Sequence, residues 1–539
     1  MFRTTKFFSS SIRLILFYNL KHNMGSINIL WADDEIDLLK PQLFFLEKKG
    51  YHVITVTNGH DALDVLDETK DIDVVFLDES MPGLTGLETL TEIKAKNKNI
   101  PIVMITKNEA ESLMEEAIGS QIDDYLIKPV NPNQILLTLK KLIDNKRLVS
   151  EKTATDYQQE FRKIGMEIIN GLDYEEWPVL YNKIIDWEIR LDNSENPEMK
   201  DILEMQKKEA NSSFSKYVIK NYESWIQNDN GPLGSHNLLK THVLPKLDDK
   251  TTVFLLLDNL RMDQWKVLEP IISEYYRIDQ EDSFFSILPT STQYSRNAIF
   301  AGMLPSDIQK RFPDYWLNDN EEGGKNLKEK EFLVDQVSRL VRTPKKTNYL
   351  KIANAHYAKL LNDNVLNFLN YDLNVVVYNF IDMLSHSRTE MEVLKELVND
   401  ETAYRSLTRS WFINSPLWAA LKKLAKHDIR LIISTDHGTI RVQNPSKVIA
   451  DRETTTNLRY KVGKNLQYNK KDVLAIKDPH SVGLPKPNMS STFIFAKEDT
   501  YFLYPNNYNH YLNFFKDTFQ HGGISLEEII CPIVHLTPK

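Results

Sequence analysis

Two separated sets of residues in this chain have the types and spacing to do chemistry. In the N-terminal part, Asp33-Asp34, Asp78, Thr106 and Lys128-Pro129 each follow directly on a short apolar run. Three carboxylates gathered at one sheet edge repel one another unless a hard cation joins them, and Mg²⁺, which takes carboxylates and water, is the natural guest. Lys128 is then placed to pair with Asp78 or with a phosphoryl group on it, and Thr106 to donate to a phosphoryl oxygen. A carboxylate beside Mg²⁺ is a nucleophile suited to forming an acyl phosphate.

The second set occupies five short segments in the C-terminal half: Leu256-Leu257-Asp258-Asn259-Leu260-Arg261, Pro289-Thr290-Ser291-Thr292, Phe380-Ile381-Asp382-Met383-Leu384-Ser385-His386, Thr435-Asp436-His437-Gly438 and His521-Gly522-Gly523. Each acid or histidine closes an apolar run or opens the turn beyond it, so all of them can converge on one sheet edge. The donors are three aspartates, three histidines and a hydroxyl. Such a set suits two Zn²⁺ ions, each with one open position, although other first-row metals accept the same donors. Two ions about 3.5–4 Å apart hold a phosphate oxygen while activating the attacking and leaving oxygens. Thr290 and Thr292 both offer the hydroxyl. Arg261 and Arg296 read either as grips on substrate phosphate or as scaffold arginines. His356, His480 and His510 lack comparable company and read as surface or supporting histidines.

The elements that must position these residues are legible from periodicity. Residues 25–147 alternate apolar strands (Ile27–Trp31, Val53–Thr57, Val74–Leu77, Ile102–Ile105 and Asp124–Ile127) with amphipathic helices, the pattern of a doubly wound parallel α/β domain. In such sheets ligands sit at the carboxyl ends of the strands, where the acids lie. Residues 148–227 are charged, 3.6-periodic and free of strand candidates, with breaks expected at Gly171-Leu172-Asp173 and Asn193–Pro197; they predict a small helical bundle. A Gly/Pro/Asn-rich linker is expected over 228–240. From 241 to 539 the α/β alternation resumes, with strands at Thr252–Leu257, Val375–Phe380, Ile429–Ser434 and Ser491–Ala496, and the polar run Asn318–Lys330 reads as a surface insertion.

Composition sets the bounds. The 539 residues are 42% hydrophobic and 26% charged, an ordinary globular balance that excludes a mostly disordered or fibrous chain. A formal charge of −9 argues against a protein that coats nucleic acid. The one cysteine, Cys531, excludes internal disulfides and cysteine-based zinc fingers, and reads as a buried small residue in a cytoplasmic protein. No stretch approaches the roughly 18–20 apolar residues that span a bilayer, so no membrane insertion is expected. Residues 1–23 are basic and carry a short apolar run without a small-residue cleavage site; with Met24 as start they read as a disordered or untranslated leader.

These motifs resemble known families. Asp33-Asp34-Glu35, the stretch Leu77-Asp78-Glu79-Ser80-Met81-Pro82-Gly83, Thr106 and Lys128-Pro129 resemble a flavodoxin-like response-regulator receiver domain. The resemblance implies Asp78 as phosphoryl acceptor, Mg²⁺ on Asp33, Asp34 and Asp78, and a switch formed by Thr106 and Tyr125 with Lys128. Lys107 departs from the pattern, standing where receivers carry a small residue. The C-terminal segments, with Gln293-Tyr294-Ser295-Arg296 and Ile524-Ser525-Leu526-Glu527-Glu528, resemble the PglZ branch of the alkaline phosphatase superfamily. By that resemblance Asp258, Thr292, Asp436 and His437 hold one Zn²⁺, and Asp382, His386 and His521 the other, with Thr292 as nucleophile and Thr290 as its rival.

The order of receiver, bundle and PglZ domain resembles the PorX-type two-component regulators of type IX secretion in Bacteroidetes. That implies phosphorylation by a sensor histidine kinase, a homodimer on phosphorylation, and cleavage of short linear or cyclic oligonucleotides by a zinc-dependent phosphodiesterase. The alternative is a phosphorylation-dependent scaffold that binds a sigma factor or secretion component and keeps a vestigial metal site. A DNA-binding transcription factor is disfavoured, because no helix-turn-helix pattern follows the receiver.

Overall fold

The computed structural model describes residues 27–539 apart from 70, 98–99, 108–121, 193–196, 229, 248–249, 391–399 and 452–453. The expectation for residues 1–23 therefore lies outside the described residues. The chain divides into two compact units between Thr155 and Asp156.

In the first unit β1 (Asn28–Ala32), β2 (His52–Val56), β3 (Val74–Asp78), β4 (Ile102–Thr106) and β5 (Asp124–Ile127) form one parallel sheet in the order β2-β1-β3-β4-β5. The two-residue period of a strand sends alternate side chains to opposite faces. Leu30, Ala32, Val75 and Leu77 accordingly build one core with Leu90 and Ile93, while Ile29, Trp31, Val74 and Phe76 build another with Ile135 and Leu139. Helices cover both faces, which is why these strands read as continuous apolar runs. Thr85 and Glu88 cap the helix Gly86–Lys96 reciprocally, a capping box that fixes the turn just beyond Asp78.

The second unit contains most of the bundle and the whole C-terminal α/β region. The bundle helices run Asn145–Asn170, Glu176–Asp192 and Pro197–Asn228. Gly171 takes φ +82° and Asp173 accepts from the backbone N–H groups of Glu175 and Glu176, which ends one helix and starts the next at the expected break. Trp177, Leu180, Tyr181, Ile184 and Ile185, spaced i, i+3, i+4, i+7 and i+8, form the buried stripe. The expected linker is instead built into the fold from Leu233 onward. Phe285 N donates to Leu233 O (2.8 Å), and Ser235, Leu238 and Leu239 are buried.

Six strands form the main sheet of this unit. They are β6 (Thr251–Leu257), β7 (Tyr276–Phe285), β8 (Thr347–Ile352), β9 (Leu373–Tyr378), β10 (Ile429–Ser434) and the C-terminal strand Ile530–Pro538. The order is β7, C-terminal strand, β10, β6, β9, β8, and only the C-terminal strand runs antiparallel to its neighbours. Its entry end, Ile530 opposite Phe285, therefore lies at the edge where the other strands exit. The expected strand near Ser491–Ala496 spans Thr492–Ala496 and joins a separate three-stranded antiparallel sheet with Tyr460–Gly463 and Val473–Ile476. Among the described residues, no helix is long and apolar enough to cross a membrane.

Candidate functional site

At the carboxyl edge of the first sheet, Asp33, Asp34 and Asp78 each offer an oxygen within 4.8 Å of the other two. Asp33 and Asp78 are buried and Asp34 is exposed, so the cluster opens to solvent on one side. Lys128 Nζ lies 2.9 Å from Asp78 Oδ1 and 3.0 Å from Asp33 Oδ2. The acid-rich edge fits a Mg²⁺ ion. Of the other expected switch residues, Thr106 Oγ1 donates to Glu79 and Tyr125 is 40% exposed. Lys107 pairs with exposed Glu35 at 2.9 Å.

Burial, aided by the Asp33 and Asp34 charges and opposed by Lys128, holds the Asp78 carboxyl above its ordinary value. A carboxylate whose folded pKa is raised penalises the folded state at pH above that pKa, and the penalty fades as pH falls below it. Asp78→Asn is therefore expected to raise the melting temperature of the magnesium-free protein by a few degrees at neutral pH. The gain should shrink on acidification through the raised pKa. Thermal melts from pH 7.5 to 4 in chelator measure both.

The second unit gathers its metal-type residues at the exit edge of the main sheet. Asp258 follows β6 and Asp436-His437 follow β10; Asp258, Asp436 and His437 each offer a donor atom within 4.8 Å of the other two, and all three are buried. Among the described residues Asp258 Oδ1 has no hydrogen-bond partner, an unusual cost for a buried carboxylate that a cation would relieve. Thr292 opens the helix Thr292–Ala301, and its Oγ1 lies 3.2 Å from His437 Nε2. Asp382 stands in the helix Phe380–Glu390 after β9, with Oδ1 3.8 Å from His521 Nε2. The His437 and His521 rings stack at 4.3 Å, so the two groups of donors adjoin. His386 lies in the same helix as Asp382, but its side chain is outside the described residues.

Backbone carbonyls set the histidine tautomers. His437 Nδ1 lies 3.1 Å from Gly438 O and His521 Nδ1 3.2 Å from Thr290 O. A carbonyl only accepts, so each Nδ1 carries the proton and each Nε2 keeps a lone pair for a metal. The donor set thus fits a His/Asp-type divalent site. Burial raises the Asp258 carboxyl well above the usual range against the pull of Arg296, with Asp436 and Asp382 adding to the rise. Burial also opposes ionisation of Asp436, but the Arg296 guanidinium prevails and holds it at about 2.

Three expectations change in this setting. Thr290 is fully buried, and its hydroxyl donates to Gly523 O and accepts from Gly522 N, both at 3.0 Å; of the two candidate hydroxyls, Thr292 is the one beside the cluster. Arg296 is fully buried and spans Asp258, Asp436 (3.0 Å) and Glu329 (3.5 Å), so it offsets the charge of the cluster's own acids. Arg261 is likewise buried against Asp263 and Glu401, beside the stacked rings of Tyr404 and Phe519.

The run Asn318–Lys330 is also more than a surface insertion. Asn326 Nδ2 donates to Thr292 O (2.9 Å), Asp319 joins the Tyr294 and Tyr460 hydroxyls, and Glu329 is buried beside Arg296. Sequence reasoning missed these residues, because a polar run bounded by Gly and Lys looks the same whether it faces water or the back of a site.

A doubly wound acidic sheet and an α/β domain with an Asp/His cluster define a class: a response regulator with a phosphatase-superfamily effector. Residues 29–140 match the response regulator receiver domain, 147–226 the PorX response regulator linker domain, and 238–536 the BREX system PglZ alkaline phosphatase-like domain. The chain belongs to the PglZ alkaline phosphatase-like family and has the receiver, linker and PglZ order of PorX-type response regulators.

The curated relatives match through the receiver. The transcriptional regulatory protein ZraR of Salmonella typhimurium is 34% identical over 141 residues, covering 26% of this chain and 32% of its own length. The response regulator SaeR of Staphylococcus aureus is 32% identical over 116 residues, covering 22% and 50% respectively. The chain thus spans about a third to a half of the length of the curated relatives it matches. Similar solved structures include a CheY-like receiver domain protein from Methanospirillum hungatei JF-1, with 23% identity, 22% of this chain, 96% of that chain and a TM-score of 0.22. A receiver domain protein from Clostridium thermocellum has 30% identity, 23% of this chain, 98% of that chain and a TM-score of 0.22.

Proposed function

We propose that this protein is a cytoplasmic response regulator whose effector is a zinc-dependent phosphodiesterase of short linear or cyclic oligonucleotides, controlled by phosphorylation of Asp78. A receiver domain implies a sensor kinase as partner. Homodimerisation on phosphorylation and a role in regulating type IX secretion belong to the same reading. The observation that carries it is the Thr292 hydroxyl, 3.2 Å from His437 Nε2 and beside the unpartnered Asp258 Oδ1.

In this reading Asp258, Thr292, Asp436 and His437 hold one zinc ion, and Asp382, His386 and His521 hold a second. Bound zinc supplies a Lewis acid that activates a hydroxyl too weak at its free pKa and offsets phosphate charge. Thr292 Oγ1 then forms a bond to phosphorus as the bond to the leaving oxygen breaks; the Thr292 proton passes to solvent, and solvent water protonates the departing alkoxide. Water cleaves the phosphothreonine, releasing a phosphomonoester and restoring the hydroxyl. The N-terminal N–H groups of the helix Thr292–Ala301 favour the negative charge that gathers there.

The test is hydrolysis of a panel of linear and cyclic oligonucleotides by zinc-loaded and chelated protein, with and without acetyl phosphate. Chelation should abolish cleavage and zinc should restore it, with acetyl phosphate changing the rate in wild type but not in Asp78→Asn. No cleavage by folded, zinc-loaded protein under either condition would sink the enzyme reading and favour a scaffold.

A further inference from the structure

The third bundle helix, Pro197–Asn228, grips one particular turn of the effector. Lys207, Asn211 and Ser215 are spaced i, i+4 and i+8, so they form one stripe along it. Asn211, 5% exposed, donates from Nδ2 to Glu527 Oε2 (3.0 Å) and accepts from Leu526 N (2.8 Å). Lys207 pairs with Glu527 Oε1 at 3.3 Å, and Ser215 Oγ donates to Ile524 O at 3.3 Å. All three contacts land on the strap from His521 to Glu528 that leads into the C-terminal strand.

The far side of that strap supports both histidines of the metal cluster. A Cβ on Gly438 would lie 1.9 Å from Glu527 O, so the strap packs directly on the residue after His437. Gly438 N donates to Glu528 O (3.2 Å), and Gly438 O is the acceptor that orients His437 Nδ1. At the other end, Glu528 Oε1 accepts from Gly523 N (2.8 Å) and pairs with buried Arg459, fixing the turn that begins at His521. Where the strap lies therefore decides how His437 and His521 point.

We propose that Asn211, with Lys207 and Ser215, is a positioning residue for the metal site: the bundle helix places the strap, and the strap sets the two histidines, so zinc affinity answers to the bundle. This inference rests on the zinc reading above. None of the three side chains reaches the cluster. Removing Asn211 leaves the Leu526 N–H and part of the Glu527 carboxylate buried without partners, and the strap must shift to recover them. Outer supports of metal ligands typically change affinity by about 10–100-fold when removed.

The experiment is a zinc titration of the full chain against a chromophoric chelator, comparing wild type with Asn211→Ala, Ser215→Ala and Gln206→Ala. Gln206 is a stability control: it is buried and bonds to Tyr157 Oη (3.1 Å) and Phe161 O (2.8 Å) of the first bundle helix, away from the strap. Asn211→Ala should weaken zinc binding about tenfold. Ser215→Ala, which deletes one hydrogen bond and serves if Asn211→Ala does not fold, should weaken it roughly threefold. Gln206→Ala should keep wild-type affinity despite a lower melting temperature. Wild-type affinity in both strap variants, or equal loss in all three, overturns the coupling. A wild type that takes up no zinc overturns the functional reading itself, a distinct result.

Discussion

Thr292→Val should lower phosphodiester cleavage by roughly a thousandfold or more, since loss of a covalent nucleophile leaves only the rate enhancement from binding and electrostatics. Valine keeps the β-branched shape at the start of the helix Thr292–Ala301 and removes the hydroxyl beside His437. The fold should therefore persist, and zinc binding, with one donor lost, should weaken without disappearing. Thr290→Val gives the contrast. Its hydroxyl ties Gly522 N to Gly523 O, so its loss should act through the His521 turn, with weaker zinc binding and partial activity. Single-turnover cleavage and zinc titration on both variants separate the roles. Equal, complete loss in Thr290→Val with full activity in Thr292→Val would reverse the assignment.

Arg296→Leu should destabilise the metal-free second unit by about 3–5 kcal/mol, the usual cost of leaving a buried ion pair without one partner. The guanidinium has no exposed surface and neutralises Asp258, Asp436 and Glu329 together. Two of those acids are candidate zinc donors, so added zinc should recover most of the loss by supplying the missing positive charge. Glu329 keeps Lys351 at 2.8 Å and needs no replacement. Urea unfolding with chelator and with zinc measures the two states. A variant equally destabilised with and without zinc would show that the three acids do not share their charge balance with a metal.

The parallel strands were legible because a strand buried on both faces must be apolar nearly throughout, as Val74–Leu77 and Thr252–Leu257 are. The edge strand β7 carries no such pattern. β7 reads Tyr-Arg-Ile-Asp-Gln-Glu-Asp-Ser-Phe-Phe and was invisible to periodicity, although it delivers the chain toward Thr292. The break at Gly171 was readable because left-handed φ is a property of a single residue, whereas the break expected over Asn193–Pro197 lies, up to Pro197, outside the described residues. The packing of Ser235, Leu238 and Leu239 and the contacts of the run Asn318–Lys330 were not legible, because polarity says nothing about which neighbour a polar group meets.

The sequence by itself determined the class of chemistry. Acids and histidines placed just beyond buried strands gather at a sheet edge whatever the details of packing, and two such edges are written into this chain. The tertiary structure decided everything that depends on partners far apart in the chain. Arg296 meets Asp436 across 140 positions, and Asn211 meets Glu527 across 316. It paired Arg261 and Arg296 with buried acids, set the Thr292 hydroxyl beside His437 and the Thr290 hydroxyl in the Gly522 turn, and fastened the third bundle helix to the strap behind the Asp/His cluster. Which hydroxyl is free and which charge is already neutralised are matters of distance and burial, and neither is encoded in residue type or local spacing.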